Sequence, residues 1–105
     1  MQKNVSILQD PVALLYLESL QRNGAAKIEG LSKTAEVSLL ISGLFPEMTK
    51  RARVSADYYL DICRTSFFDL SSYCEYSRRY VEARQYHTLA LEAERITKVL
   101  RCARP

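Results

Sequence analysis

The chain has 105 residues, 48% of them apolar and 26% charged, with only three glycines and three prolines. That is one domain's worth of a globular chain, and it argues against a turn-rich sandwich or barrel, collagen-like repeats and long disordered linkers. Fifteen basic against twelve acidic residues give a formal charge of +3, too mild a bias to demand an anionic partner, and no apolar run approaches the roughly 20 residues that span a bilayer.

The first predicted helix begins at Asp10, a good N-cap, with Pro11 at the first helical position, where its missing N–H costs nothing. Val12, Leu14, Leu15, Leu17 and Leu20 cover more than one narrow stripe, which predicts packing against two neighbours. Asn23-Gly24 offers a left-handed stop, and residues 24–33 read as a connection. Ser32 or Thr34 caps a second helix running to about Leu44. Val37, Leu39, Leu40, Ile41, Leu44 and Phe45 make it apolar nearly all round, which predicts a central helix. Ser38, Ser42 and Gly43 on it would admit a close neighbour.

Pro46 ends that helix or starts a short new one through Arg53, with Glu47 at its N-terminal end and basic residues at its C-terminal end. Ser55 caps a third long helix. Its stripe of Leu60, Cys63, Phe67, Leu70 and Cys74 falls at spacings of three and four, and Ser71-Ser72 is expected to mark its end. The last helix is predicted over about 77–102. Tyr86, Leu89, Ala93, Ile96, Leu100 and Ala103 repeat there at alternating spacings of three and four, an a/d seam of about two and a half heptads. The predicted fold is therefore all-α: a four- to five-helix bundle in a single domain over residues 1–105, with a nearly all-apolar central helix and a long C-terminal helix. A 26-residue last helix would be about 39 Å long. It is expected to overhang its own domain and leave part of its seam for a second copy. Tyr86, Leu89, Ala93, Ile96 and Leu100 are the candidate interface of a homodimer or higher oligomer.

The stretch 34–70 reads TAEVSLLISGLFPEMTKRARVSADYYLDICRTSFFDL. It resembles a group of uncharacterised bacterial proteins in which a helix ending in a Ser-Gly-Leu/Phe-Phe pattern is followed by a short basic segment and an Asp-Tyr-Tyr helix. The matching residues are Ser42, Gly43, Leu44 and Phe45, then Lys50, Arg51 and Arg53, then Asp57, Tyr58 and Tyr59. Where the group tends to carry a Gly-rich segment after the Tyr-Tyr helix begins, this chain has Ile62-Cys63-Arg64. No activity is assigned to the group, so the resemblance implies a bacterial, all-helical, soluble protein and no site residue.

Candidate chemistry is sparse. Cys63, Cys74 and Cys102 are odd in number and form no CxxC pair, so they read as apolar fillers, and with no secretory h-region at the start they favour the cytoplasm. His87 is the only histidine. A thiol–imidazole pair with Cys74 or Cys102 would need a chain reversal between them, and a half-buried helical histidine is the simpler reading. No metal-ligand pair, phosphate-cradling glycine loop or nucleophile elbow is present, so no catalytic residue, metal or cofactor is expected. Asp57 and Asp61 share a face, with Arg64 in reach of Asp61 as a local ion pair.

Charge and aromatics concentrate late in the chain. Residues 1–49 carry four basic and five acidic side chains, whereas residues 50–105 carry eleven and seven. Lys50, Arg51 and Arg53 lie by a predicted turn, and a helix–turn–helix over 46–54 and 55–72 conflicts with the apolar Tyr58, Tyr59 and Leu60 at the start of its second helix. Arg78, Arg79 and Arg84 lie among Tyr73, Tyr76, Tyr80 and Tyr86. Basic residues interleaved with aromatics can hold phosphates and stack bases. The run Arg95, Lys98, Arg101 and Arg104 complements the negative end of the last helix. Eight of the ten aromatics lie between Tyr58 and Tyr86, as interface anchors or as a core rim with hydroxyls in water. The expectation is a non-enzymatic interaction or adaptor module that self-associates. The alternative is a nucleic-acid-associated regulator using the basic and tyrosine-rich surfaces.

Overall fold

A computed structural model describes residues 10–44 and 56–103, and these form four helices and no strand. They are α1 (Pro11–Leu20), α2 (Gly24–Leu44), α3 (Ala56–Tyr76) and α4 (Tyr80–Ala103). The optional fifth helix, a short one over 46–53, lies outside the described residues. The three long helices pack on one another, with α2 and α4 both antiparallel to α3, and α1 lies mainly on α2. The result is a flat slab with principal extents of 40 × 34 × 17 Å.

Asp10 caps α1 as expected, accepting the Val12 N–H, with Pro11 next. Gly24 takes the left-handed conformation (φ 63°) at the corner, as the Asn23-Gly24 pair predicts. The expected connection over 24–33 is instead helix. Ala25, Ala26, Lys27 and Glu29 are strong helix formers, and Leu31 in the same segment is fully buried. The Lys27 ammonium also reaches back 3.1 Å to the Leu20 carbonyl, satisfying an acceptor at the end of α1. This longer α2 changes the proportions of the domain. At 21, 21 and 24 residues, α2, α3 and α4 are nearly equal, so α4 does not overhang the fold.

Nor does α3 stop at Ser71-Ser72. Ser71 is buried, and its hydroxyl donates 2.7 Å to the Ala83 carbonyl of α4, tying the two helices together. The helix ends at Tyr76 through paired end bonds: Arg79 N–H to Cys74 C=O (2.7 Å) and Arg78 N–H to Glu75 C=O (3.0 Å). This is a Schellman motif, and Arg78 holds its left-handed position with φ 63°. α4 therefore starts at Tyr80, later than the expected 77.

α2 touches all three other helices, but its buried face is made of Gly30, Leu31, Thr34, Ala35, Ser38, Ser42 and Gly43. Of the large apolar residues expected to make it central, Val37, Leu39, Ile41 and Leu44 are only partly covered and Leu40 is 44% exposed, while Phe45 lies outside the described residues. Small side chains let backbones approach closely. A Cβ on Gly43 would lie 2.8 Å from Leu100 of α4, and one on Gly30 would lie 2.9 Å from the Ser19 Cβ of α1. The hydroxyls of Thr34 and Ser38 bond back to the carbonyls of Gly30 and Thr34, at 2.8 and 2.7 Å. Those of Ser42, Ser66 and Thr97 are enclosed with no partner. The core combines Leu31 and Ala35 with Leu60, Cys63, Phe67 and Leu70 of α3 and Ala90 and Ala93 of α4.

Three tyrosine hydroxyls fasten the ends of the slab. Tyr16 of α1 donates 2.6 Å to Asp69 of α3, and Tyr59 of α3 donates 3.1 Å to Asp10 at the α1 cap. The third, Tyr73, accepts the Gly24 N–H at 2.6 Å. Burial first, and then the Asp10 charge, raise the Tyr59 phenol from its ordinary 10.0 to about 12. Burial and Asp69 raise Tyr16 in the same direction.

Two outcomes are expected. Gly43→Ala must push α4 from α2 and should cost about 1–3 kcal/mol in urea unfolding, whereas Thr97→Val removes an unpaired buried hydroxyl and should stabilise by about 1 kcal/mol. A raised phenol value means tighter proton binding in the folded state. The stabilising contribution of Tyr59 is thus complete below its ordinary value and is lost as pH climbs through about 12. Urea midpoints measured across this alkaline window should fall less steeply for Tyr59→Phe than for the parent chain.

Candidate functional site

The expected seam on α4 divides between two directions. Ala93 is 0% exposed and belongs to the core, so it is no surface contact. Tyr86 leans inward, half-buried, with its ring stacked on Phe67 at 6.2 Å. Leu89, Ile96 and Leu100 are half-buried and line an open groove of 390 Å³ on the outer side of α4. The other lining residues are Thr88, Glu92, Arg95 and Val99. Val99 is 61% exposed and was missed by the seam. The signal that could have found it is Val81, eighteen residues earlier: that is five helical turns, so the two valines share one face, and both are exposed. Glu92 and Arg95 pair with each other along this face at 3.6 Å. A contiguous apolar surface of this kind, bordered by charge, suits contact with another macromolecule better than a small reactive substrate.

The basic candidates separate as well. Lys50, Arg51 and Arg53, with the first half of the helix–turn–helix alternative, lie outside the described residues. Arg78, Arg79 and Arg84 are exposed around the α3–α4 corner, and none forms an ion pair among the described residues. Near them Tyr76 is 85% and Tyr80 61% exposed. Tyr76 and Tyr80 are thus exposed, whereas the hydroxyls of Tyr59 and Tyr73, expected in water, reach protein partners, as does that of Tyr16. In the terminal basic run, Arg101 donates from Nε to the Ser42 carbonyl at 3.1 Å, serving the end of α2. The expected Asp61–Arg64 pair does not form, and the Arg64 Nε is enclosed without a partner.

His87 is exposed and sets its ring edge-on against Phe68, 5.6 Å between centroids. The α3–α4 reversal does fold His87 back toward α3, but at the wrong level for a thiol pair. Cys74 lies six residues beyond Phe68, about 9 Å along the helix. Burial, then the Glu82 charge, raise the Cys74 thiol, with Arg79 opposing. Burial pushes Cys63 up to about 12. Both thiols are therefore held in their unreactive protonated form. Among the described residues no group of three or more His, Cys, Asp and Glu side chains is placed to hold a metal ion, and no helix is long and apolar enough to cross a membrane. No family model, curated protein or solved structure matches this chain.

Cys63 and Cys74 are buried and Cys102 is exposed. A chromogenic disulfide reagent at about pH 8 should titrate one thiol promptly in the folded chain and all three after unfolding. Prompt reaction of a second thiol in the folded chain would contradict the packing around α3.

Proposed function

We propose that the chain is a non-enzymatic interaction module that associates with a second copy of itself through the outer face of α4. The observation that carries this reading is the groove of Leu89, Ile96, Val99 and Leu100, an apolar surface left open on a domain only 17 Å thick. Its border carries one charge of each sign, Glu92 and Arg95. Two such faces laid antiparallel about a two-fold axis set Glu92 of one copy near Arg95 of the other and apolar side chains between them. A face of single sign would repel its own copy, whereas this one is self-complementary, as a two-fold interface requires. The α4 helix offers about 36 Å of length for such a contact.

A non-catalytic role suits the separation of the one histidine from the thiols and the protonated state of the two buried cysteines. The setting, on the same reading, is the bacterial cytoplasm. The resemblance over 34–70 is to bacterial proteins, and three unpaired thiols suit a reducing compartment.

Sedimentation equilibrium of the full chain tests the proposal. The parent should be dimeric at high micromolar concentration. Val99→Glu, at a residue exposed in the single chain, should shift the population to monomer with unchanged helical circular dichroism. A parent chain that stays monomeric at that concentration overturns the reading, as does a Val99→Glu dimer of undiminished strength.

A further inference from the structure

The α3–α4 corner is built around aromatic rings that the fold does not cover. Tyr73 is fixed from two sides: its hydroxyl accepts the Gly24 N–H, and the Lys27 ammonium sits 5.0 Å above its ring. Tyr76 stacks on Tyr73 with centroids 6.4 Å apart and planes at 29°. One side of this pair is thus anchored, while Tyr76 is 85% exposed. Tyr80, 61% exposed, stands across an open depression of 440 Å³ whose remaining lining is Ser72 and Glu75. Two accessible rings therefore face a common space from two helices.

Between them in sequence runs Ser77-Arg78-Arg79. Arg78 occupies the left-handed position of the Schellman motif, where glycine carries no Cβ penalty. It is the one non-glycine residue with positive φ among the described residues. Its guanidinium and that of Arg79 are exposed and free of ion pairs among the described residues, and Arg84 follows Tyr80 by one turn of α4. A side chain kept at backbone cost, on an exposed corner beside bare aromatic rings, points to contact outside the chain.

We propose that this corner is a platform for single-stranded nucleic acid, with Tyr76 and Tyr80 stacking against unpaired bases and Arg78, Arg79 and Arg84 holding the intervening phosphates. Flat apolar rings alternating with guanidinium groups match the alternation of bases and phosphates along a single strand. A duplex keeps its bases stacked inside and would meet only the arginines. An acidic peptide would likewise engage the charges but has no succession of planar faces to offer the rings. The platform lies apart from the α4 groove of residues 88–100, so it stands or falls independently of self-association.

Fluorescence anisotropy of the full chain with a labelled oligothymidylate of about 15 nucleotides provides the test. Binding at low salt that weakens as salt is added is expected. Tyr76→Ala and Tyr80→Ala should each weaken it about tenfold, while Tyr76→Phe should retain it, because stacking needs the ring and not the hydroxyl. Arg78→Gly separates a binding role from a structural one: it should raise the melting temperature by relieving the left-handed arginine and yet weaken binding several-fold. No binding at low salt overturns the proposal. So does affinity unchanged by the two alanine substitutions, or competition by duplex DNA or polyglutamate as effective as by the unlabelled single strand.

Discussion

The fold depends on how closely α2 can approach the helices around it. Gly30 meets Ser19 of α1 and Gly43 meets Leu100 of α4, with no room at either point for a methyl group. Between them the buried face, Leu31 apart, is hydroxyls and small side chains, which shorten the distance between helix axes and bring many weak dispersion contacts into range. This close approach costs hydrogen bonding. Thr34 and Ser38 satisfy themselves on their own helix, whereas Ser42, Ser66 and Thr97 surrender water and gain no partner. Among the described large aliphatic and aromatic side chains, Leu31 and Leu70 are fully enclosed and Tyr59, Leu60 and Phe67 nearly so, and close contact geometry adds to this buried hydrocarbon.

The same constraint produces the surfaces. A slab of closely packed helices has a thin interior and two broad faces, so apolar residues beyond those that fill the core sit partly at the surface. Leu89, Ile96 and Leu100 are drawn half inward while Val99 stays outside, so the outer side of α4 forms a groove. The tyrosines divide by reach. Tyr16, Tyr59 and Tyr73, whose hydroxyls bond a second element, act as rivets, and Tyr76 at the end of α3 and Tyr80 at the start of α4 meet solvent.

Much of this was legible in the residues and some was not. The α1 cap at Asp10-Pro11, the left-handed Gly24 and the stripe from Leu60 to Cys74 followed from local rules that tertiary packing did not overturn. Residues 24–33 resemble a connection because two glycines and weak periodicity mask strong helix formers, and the reason for Gly30 is a neighbour, Ser19, that no local pattern reveals. Ser71 looked like a helix terminator because its partner, the Ala83 carbonyl, lies on the next helix. The α4 seam was correctly periodic, yet periodicity marks an apolar stripe without saying which part of it the chain covers for itself. Ala93 went to the core on that distinction, and Leu89, Ile96 and Leu100 stayed half-exposed.

The Arg101 bond to the Ser42 carbonyl has a mechanical consequence. α2 and α4 run parallel, so the negative ends of both dipoles lie side by side and repel, and one guanidinium answers both. Because it also bridges the last turns, any load applied along α4 passes into α2 at its final residues before Leu44. The final turn of α2 is thus a clamped support, held by α4 as much as by its own helix.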